Sequence, residues 1–333
     1  MTARRVVGWL ALTLVVLAVL YLGCSYEGPG IASLFAWCTG GLDEVEGYVF
    51  TGLRLPRLLV AACGGASLAL AGAVMQATFR NPLASPDLVG TAAGAAFGGA
   101  CAIVLQIASL GLVVVPAASL LGALVVTGLV FVLARAHGRF ATATLLLAGI
   151  ALNTLVGALT SFVVTLSFDN YTASSNVLFW LMGGLESRTW EHAVITAAGL
   201  VVFGLAVVPR RRELDLLTLH DDTAHSLGVD APRVRRWLVL CACGLTAATV
   251  SNTGGIAFVG LVVPHLARLL VGPAHRVLLP AAALLGAILM VGSDLVCRLT
   301  PPTWNLRLGV VTAFFGAPYF LFLLARNRRL EDS

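Results

Sequence analysis

Long charge-free runs set the character of this chain. Leu10 to Leu22 and Leu110 to Ala134 each pass without one charged residue. Barrel strands would alternate polar and apolar positions over about 10 residues. These runs do not alternate. They match helices of about 20 residues crossing about 30 Å of hydrocarbon. Only helices and closed barrels satisfy their backbone hydrogen bonds in lipid. The pattern therefore predicts an all-α, polytopic membrane helix bundle. About ten spans are expected, over residues 6–26, 55–79, 88–108, 111–134, 142–167, 191–208, 237–252, 256–271, 277–297 and 308–325. Asn252, Thr253, Gly254 and Gly255 interrupt one apolar stretch between the seventh and the eighth. An even number of spans puts both termini on the same side.

Composition agrees. Of the 333 residues, 59% are hydrophobic and 11% charged, against roughly 25% charged in ordinary soluble domains. A soluble globule could not cover its surface with so few polar groups, and disorder requires the opposite balance. One membrane domain accounts for residues 1–333. Arg4 and Arg5 ahead of an apolar run, with Leu22-Gly23-Cys24 behind it, resemble a leader. The charged stretch that follows leads straight into further spans, so the first helix is expected to be an uncleaved span.

Arginine placement gives the orientation. With the N-terminus inside, fourteen arginines fall in cytoplasmic segments and five (Arg54, Arg57, Arg188, Arg298 and Arg307) in external ones. Both termini are then cytoplasmic, in a multi-pass protein of the cytoplasmic (inner) membrane. Residues 27–53 form an external loop, and residues 209–236 form the longest and most charged cytoplasmic loop.

All 21 basic residues are arginine. A phosphate-binding loop requires its lysine, so the chain is not an ATPase by itself, and any ATP and Mg would belong to a separate subunit. The seven cysteines and six histidines are dispersed, which is poor spacing for a metal or for an intramembrane enzyme. No cofactor is expected on this chain. Lipid is its solvent, and nothing points to nucleic acid. Asp87 and Asp294 are the acids nearest the spans. Ion-coupled carriers usually place ionisable groups at mid-membrane, which weakens the alternative of a secondary transporter acting without an ATPase. Gly90, Gly94 and Gly98 recur every four residues, a spacing that lets helices approach closely.

Two irregular stretches carry candidate chemistry. Asn81-Pro82-Leu83-Ala84-Ser85-Pro86-Asp87 is a rigid turn, compatible with a shaped element beside a pathway. Leu214 to Pro232 reads as a short helix pair between arginine clusters, with a cap at Asp221 or Asp222 and an end near Gly228. An exposed helical hairpin bearing leucines marks a protein contact.

Together the motifs resemble the permease subunits of ATP-driven importers for iron-siderophores, haem and cobalamin, the type II ABC importers. The matching pieces begin with Arg54-Leu55-Pro56-Arg57, Gly72-Ala73-Val74-Met75-Gln76 and Arg80-Asn81-Pro82-Leu83-Ala84. Trp180-Leu181-Met182-Gly183-Gly184, Ala224 with Leu227-Gly228, and Gly255 to His265 follow. His275-Arg276, Asp294 with Arg298, Gly309 to Ala313 and Gly316-Ala317-Pro318 complete the set. The resemblance implies a permease that pairs with a second copy, a homodimer being the simpler arrangement. It implies two cytoplasmic ATPase subunits and a periplasmic or lipid-anchored substrate-binding protein. It makes the 209–236 loop the ATPase-coupling element, centred on Leu217, Leu219, Asp221, Asp222, Ala224, Leu227 and Gly228. It assigns Arg54, Arg57 and Arg298 to docking of the binding protein. Asn81 and Pro82 are pathway candidates, and Thr142, in Ala141-Thr142-Ala143-Thr144, is a candidate for the cytoplasmic gate. The chain departs from the family pattern at His220, where glycine is usual. It departs again at Asn305-Leu306-Arg307-Leu308, where a glutamate-leucine-proline usually precedes the last span. A ferric siderophore is the first expected cargo, followed by haem and cobalamin.

Overall fold

The structure, a computed structural model, describes residues 3–24, 35–37, 39–135, 142–168, 171–219 and 221–331. It gives the backbone alone at 135, 142–143, 171, 221–222, 302 and 322–331. All described regular elements are helical. α1 spans Ala3–Gly23. α2 (Glu44–Tyr48) starts on Asp43, whose carboxylate accepts the Glu46 N–H at 2.7 Å, the arrangement an N-cap requires. It runs through a π-helical turn, Val49–Arg54, into α3 (Leu55–Phe79), so that 44–79 forms one rod of 36 residues. The C-terminal end of the expected external loop 27–53 is thus helix. Charged residues at 43–46 hide that continuity from a hydropathy reading.

α3 stops at Arg80, which takes a left-handed φ of 51°, and the Asn81 N–H closes the last turn on the Gln76 carbonyl at 3.2 Å. A 3₁₀ turn at Pro86–Val89 leads to α4 (Thr91–Val104). Then come α5 (Val114–Arg135), α6 (Thr142–Thr165), α7 (Tyr171–Leu181) and α8 (Trp190–Val207). A short pair follows, α9 (Arg211–Leu217) and α10 (Asp221–Ser226). The chain continues with α11 (Ala231–Thr253), α12 (Val259–Val271), α13 (His275–Leu299) and α14 (Leu308–Glu331).

Each of the ten expected segments contains a helix, yet among the described residues seven helices are long and apolar enough to cross a membrane. α4 and α12, with 14 and 13 residues, fall short. α7 lies between expected spans, where no helix was predicted.

α3 is the hub. Nearly all its residues from Gly64 to Phe79 are buried, with α13, α11, α8 and α12 packed around it. α1 lies outside α13, and α4 pairs with α5. Glycine sets these distances. A Cβ on Gly65 would overlap the Gly286 carbonyl of α13, and one on Gly94 would overlap the Gly122 carbonyl of α5. Backbones in such contact gain dispersion and exclude lipid. α11 is buried throughout its second half despite Thr246, Thr249 and Thr253. Each of those hydroxyls donates to the carbonyl four residues back, at 3.0–3.1 Å, so none is left unpaired in an apolar surrounding.

Candidate functional site

Three groups of residues stand out, two at one end of the bundle and one at the other. The first is the helix pair α9–α10. α9 turns Leu214 and Leu217 inward, both fully buried in a core that includes Met75, Phe79 and Leu238. α10 turns Ala224 inward to the same core. Gly228, at φ +82°, ends it, with the Val229 N–H on the Ala224 carbonyl at 3.0 Å and the Gly228 N–H on the His225 carbonyl at 2.9 Å. That closure needs a left-handed residue, which glycine supplies. Leu219 and Leu227 point away from the bundle, 44% and 57% exposed. Leu217 and Ala224 thus anchor the pair, and Leu219 and Leu227 are what it presents. Asp221 and Asp222 open α10, but their side chains, and all of His220, lie outside the described residues. So does the side chain of Thr142, at the start of α6.

Beside this pair lies the second group, around a cavity of about 500 Å³ lined by Gln76, Arg80, Asn81, Pro82, Asp215, Arg268 and His275. Asn81 and Pro82 therefore sit next to the helix pair. The Asn81 Oδ1 accepts the Leu83 N–H at 2.9 Å, which fixes the turn. Gln76 joins α3 to α12 by donating to the Leu261 carbonyl at 2.9 Å and accepting from Arg268 at 3.1 Å. The Asp215 Oδ1 accepts both the His275 backbone N–H, at 2.9 Å, and the His275 Nδ1, at 2.6 Å.

The third group lies at the opposite end of α3 and α13. Arg57 grips Asp294 with two nitrogens, Nε to Oδ2 at 2.8 Å and Nη2 to Oδ1 at 2.7 Å. The Tyr21 hydroxyl donates to Oδ2 at 2.5 Å. The Arg298 Nη1 donates to the Tyr21 carbonyl at 2.8 Å while its guanidinium covers the Tyr21 ring at 4.4 Å. The Arg54 Nη1 donates to the Leu22 carbonyl at 3.2 Å. Arg298 and Arg54 thereby satisfy carbonyls that the last turn of α1 leaves open. The sequence reading treats Arg54, Arg57 and Arg298 as surface charges. Here all three are only partly exposed and engage neighbouring helices. Close by, Arg307 pairs with Glu186 at 3.0 Å and lies over the Phe179 ring at 4.1 Å. Burial lowers the neighbouring Arg188 to about 10.

Sequence reasoning singles out Asp294 and misses its partner Tyr21, together with Asp215, His275 as a bonded residue, and Glu186. An acid inside a span was itself the signal for a partner.

The sequence pattern of the FecCD transport family matches residues 11–326. This chain belongs to the FecCD transport family. It is a permease subunit of an ABC-type metal-chelate importer. The "Cobalamin import system permease protein BtuC" of Halobacterium salinarum is 45% identical over 295 residues, covering 87% of this chain and 77% of that one. The "Fe(3+) dicitrate transport system permease protein FecD" of Escherichia coli is 39% identical over 300 residues, covering 90% and 91%. A solved inward-facing structure described as a metal-chelate type ABC transporter superimposes with a TM-score of 0.85 at 33% identity, covering 97% of this chain and 99% of that one.

Proposed function

We propose that this FecCD permease passes a chelate of the ferric-siderophore, haem or cobalamin class from a binding protein into the cytoplasm. ATP and Mg act on a separate ATPase pair. The observation that carries this reading is the helix pair α9–α10, anchored inward by Leu214, Leu217 and Ala224, with Leu219 and Leu227 exposed. Leucines presented next to arginine clusters fit a protein surface better than they fit water or lipid. The absence of lysine from the sequence leaves nucleotide hydrolysis to the partner that binds there. Leu217, Leu219, Asp221, Asp222, Ala224, Leu227 and Gly228 form the coupling element.

The assembly we infer has ten spans in the cytoplasmic membrane, with both termini inside and α14 together with the short helices α4 and α12 completing the count within the bundle. The Arg57–Asp294 end then faces outward. Arg57 is paired with Asp294, whereas Arg54 and Arg298 donate to carbonyls of α1 and keep their charge uncompensated by that carboxylate, and this positive excess offers a docking surface for acidic groups of the binding protein. The start of α6 at Thr142, with Asn81 and Pro82, borders the cytoplasmic exit. A second copy of the permease completes the pathway. The apolar faces of α6 (Leu147, Ile150, Phe162) and α14 (Phe314, Phe315) are exposed and are covered by that copy or by lipid.

The experiment is purification of the tagged chain from its native membrane in mild detergent. A near-stoichiometric soluble subunit carrying a phosphate-loop lysine is expected. A chain that purifies alone and transports without nucleotide in liposomes overturns the reading.

A further inference from the structure

We propose that Asp215 and His275 are positioning residues that fasten the coupling segment to the α3–α13 pair, so that α13 carries movement of the segment to the Asp294 end. The inference rests on the reading of α9–α10 as the ATPase-coupling element.

The contact has the form of a borrowed helix cap. The N-cap position of α13 is Ala274, which makes no side-chain cap bond, and the first turn has no acid of its own. Alanine is among the poorest N-caps, and the first N–H groups of a helix have no internal partner. Asp215, 60 positions earlier and on α9, supplies the missing acceptor and a negative charge at the positive end of α13. The same oxygen takes the His275 ring at 2.6 Å. That ring is 2% exposed, and its Nε2 is buried without a hydrogen-bond partner. An unpaired buried nitrogen costs free energy. Among the described residues, Asp215 is the only hydrogen-bond partner of that ring. Two directional bonds to one oxygen resist sliding in a way that the packing of Leu214 and Leu217 does not.

α13 continues the connection. Pro280 removes one backbone bond near its start, but Leu278, Leu279, Ala281 and Ala282 are all fully buried there and hold the turn by packing. Gly65 and Gly286 bring α13 and α3 into backbone contact near their middles. Arg57 and Asp294 lock the same two helices at the far end. From residue 275 to residue 294, at about 1.5 Å per residue, the helix reaches about 28 Å, the thickness of the hydrocarbon layer. One rod is thus fastened to the coupling segment at one end and to the arginine cluster at the other.

The test uses the full importer, with permease, ATPase subunits and binding protein in liposomes. Asp215→Ala and His275→Phe should keep ATPase association and basal hydrolysis. Stimulation by the binding protein and ATP-driven uptake should each fall about tenfold, within the usual range of coupling energies. His275→Asn, whose amide donates from near the place of Nδ1, should restore most of both. If Asp215→Ala fails to fold, Asp215→Asn keeps an acceptor for the backbone N–H, weakens the ring contact, and should lower stimulation in folded protein. Normal stimulation and uptake in His275→Phe overturns the fastener, as does equal damage from His275→Asn and His275→Phe. If wild-type ATPase association survives Leu219→Arg with Leu227→Arg, the coupling reading fails first and takes the fastener with it.

Discussion

Arg57 and Asp294 stand 237 positions apart in sequence and meet in a two-pronged ion pair, with Asp294 almost fully buried. Removing one partner strands the other charge in an apolar surrounding, at a typical cost of about 3–5 kcal/mol. Asp294→Leu should therefore lower the thermal unfolding midpoint in detergent sharply. Arg57→Leu with Asp294→Leu should recover much of the loss, because replacing both charges by apolar groups is close to neutral. Unfolding curves of the two variants check this. A double variant no better than the single one would remove the pair from the account of stability.

Arg298 ties α1 to α13 through the Tyr21 carbonyl and ring. Arg298→Lys keeps the charge but loses the planar fork and the stacking. It should loosen α1 while leaving the remaining helices intact. Protease cleavage after α1 should accelerate, with little change in the global unfolding midpoint.

How much of this was legible follows from the physics of each element. The hydrophobic pattern places α3 at 55–79, and the helix is Leu55–Phe79, because Arg54, Pro56 and Arg57 mark one end, Arg80 and Pro82 mark the other, and no charged residue lies between them. The hydrophobic pattern places a span at 237–252, but α11 begins at Ala231, capped by Asp230. Hydropathy stops at Arg233, Arg235 and Arg236, whereas the helix runs past them. α7 escapes the hydrophobic pattern because its 11 residues include Thr172, Ser174, Ser175 and Asn176, too short and too polar for a span. α9 and α10 were legible from their leucines, aspartates and Gly228. The ion pair, the borrowed cap and the Glu186–Arg307 contact were not, since a linear pattern carries no information about which distant helices touch. Arg307 stands where the family pattern has a different residue, and it pairs with Glu186.

Leu219 and Leu227 face away from the bundle, so charging them leaves the core untouched. Leu219→Arg with Leu227→Arg should leave the detergent elution profile and the unfolding midpoint unchanged while ATPase co-purification is lost. Leu217→Arg should behave differently. It buries a charge in the core and should fail as a folded protein. The contrast between two loop leucines and a neighbouring one separates an interface from a packing role.

Arg54→Glu with Arg298→Glu should weaken binding-protein association, and the difference from wild type should grow as salt is lowered. At about 0.15 M ionic strength, charges beyond about 8 Å are screened, while at about 0.01 M the reach is about 30 Å. Complementary charge acts mainly on encounter, so the loss should appear in the association rate. Equal association rates at both salt concentrations would leave these arginines with only their contacts to α1.

Two glycines of the same helix offer the sharpest test of packing. A Cβ on Gly122 of α5 would overlap the Gly94 carbonyl of α4, while one on Gly128 meets nothing within 4 Å. In an open helix, glycine to alanine is favourable by up to about 1 kcal/mol. Gly128→Ala should accordingly leave the unfolding midpoint equal or higher. Gly122→Ala adds the same methyl to a backbone contact that cannot yield without separating α4 from α5, so its midpoint should fall. The substitutions are chemically identical and lie six residues apart on one helix, so propensity and composition cancel between them. Equal midpoints would mean that the two helices are not in the backbone contact described.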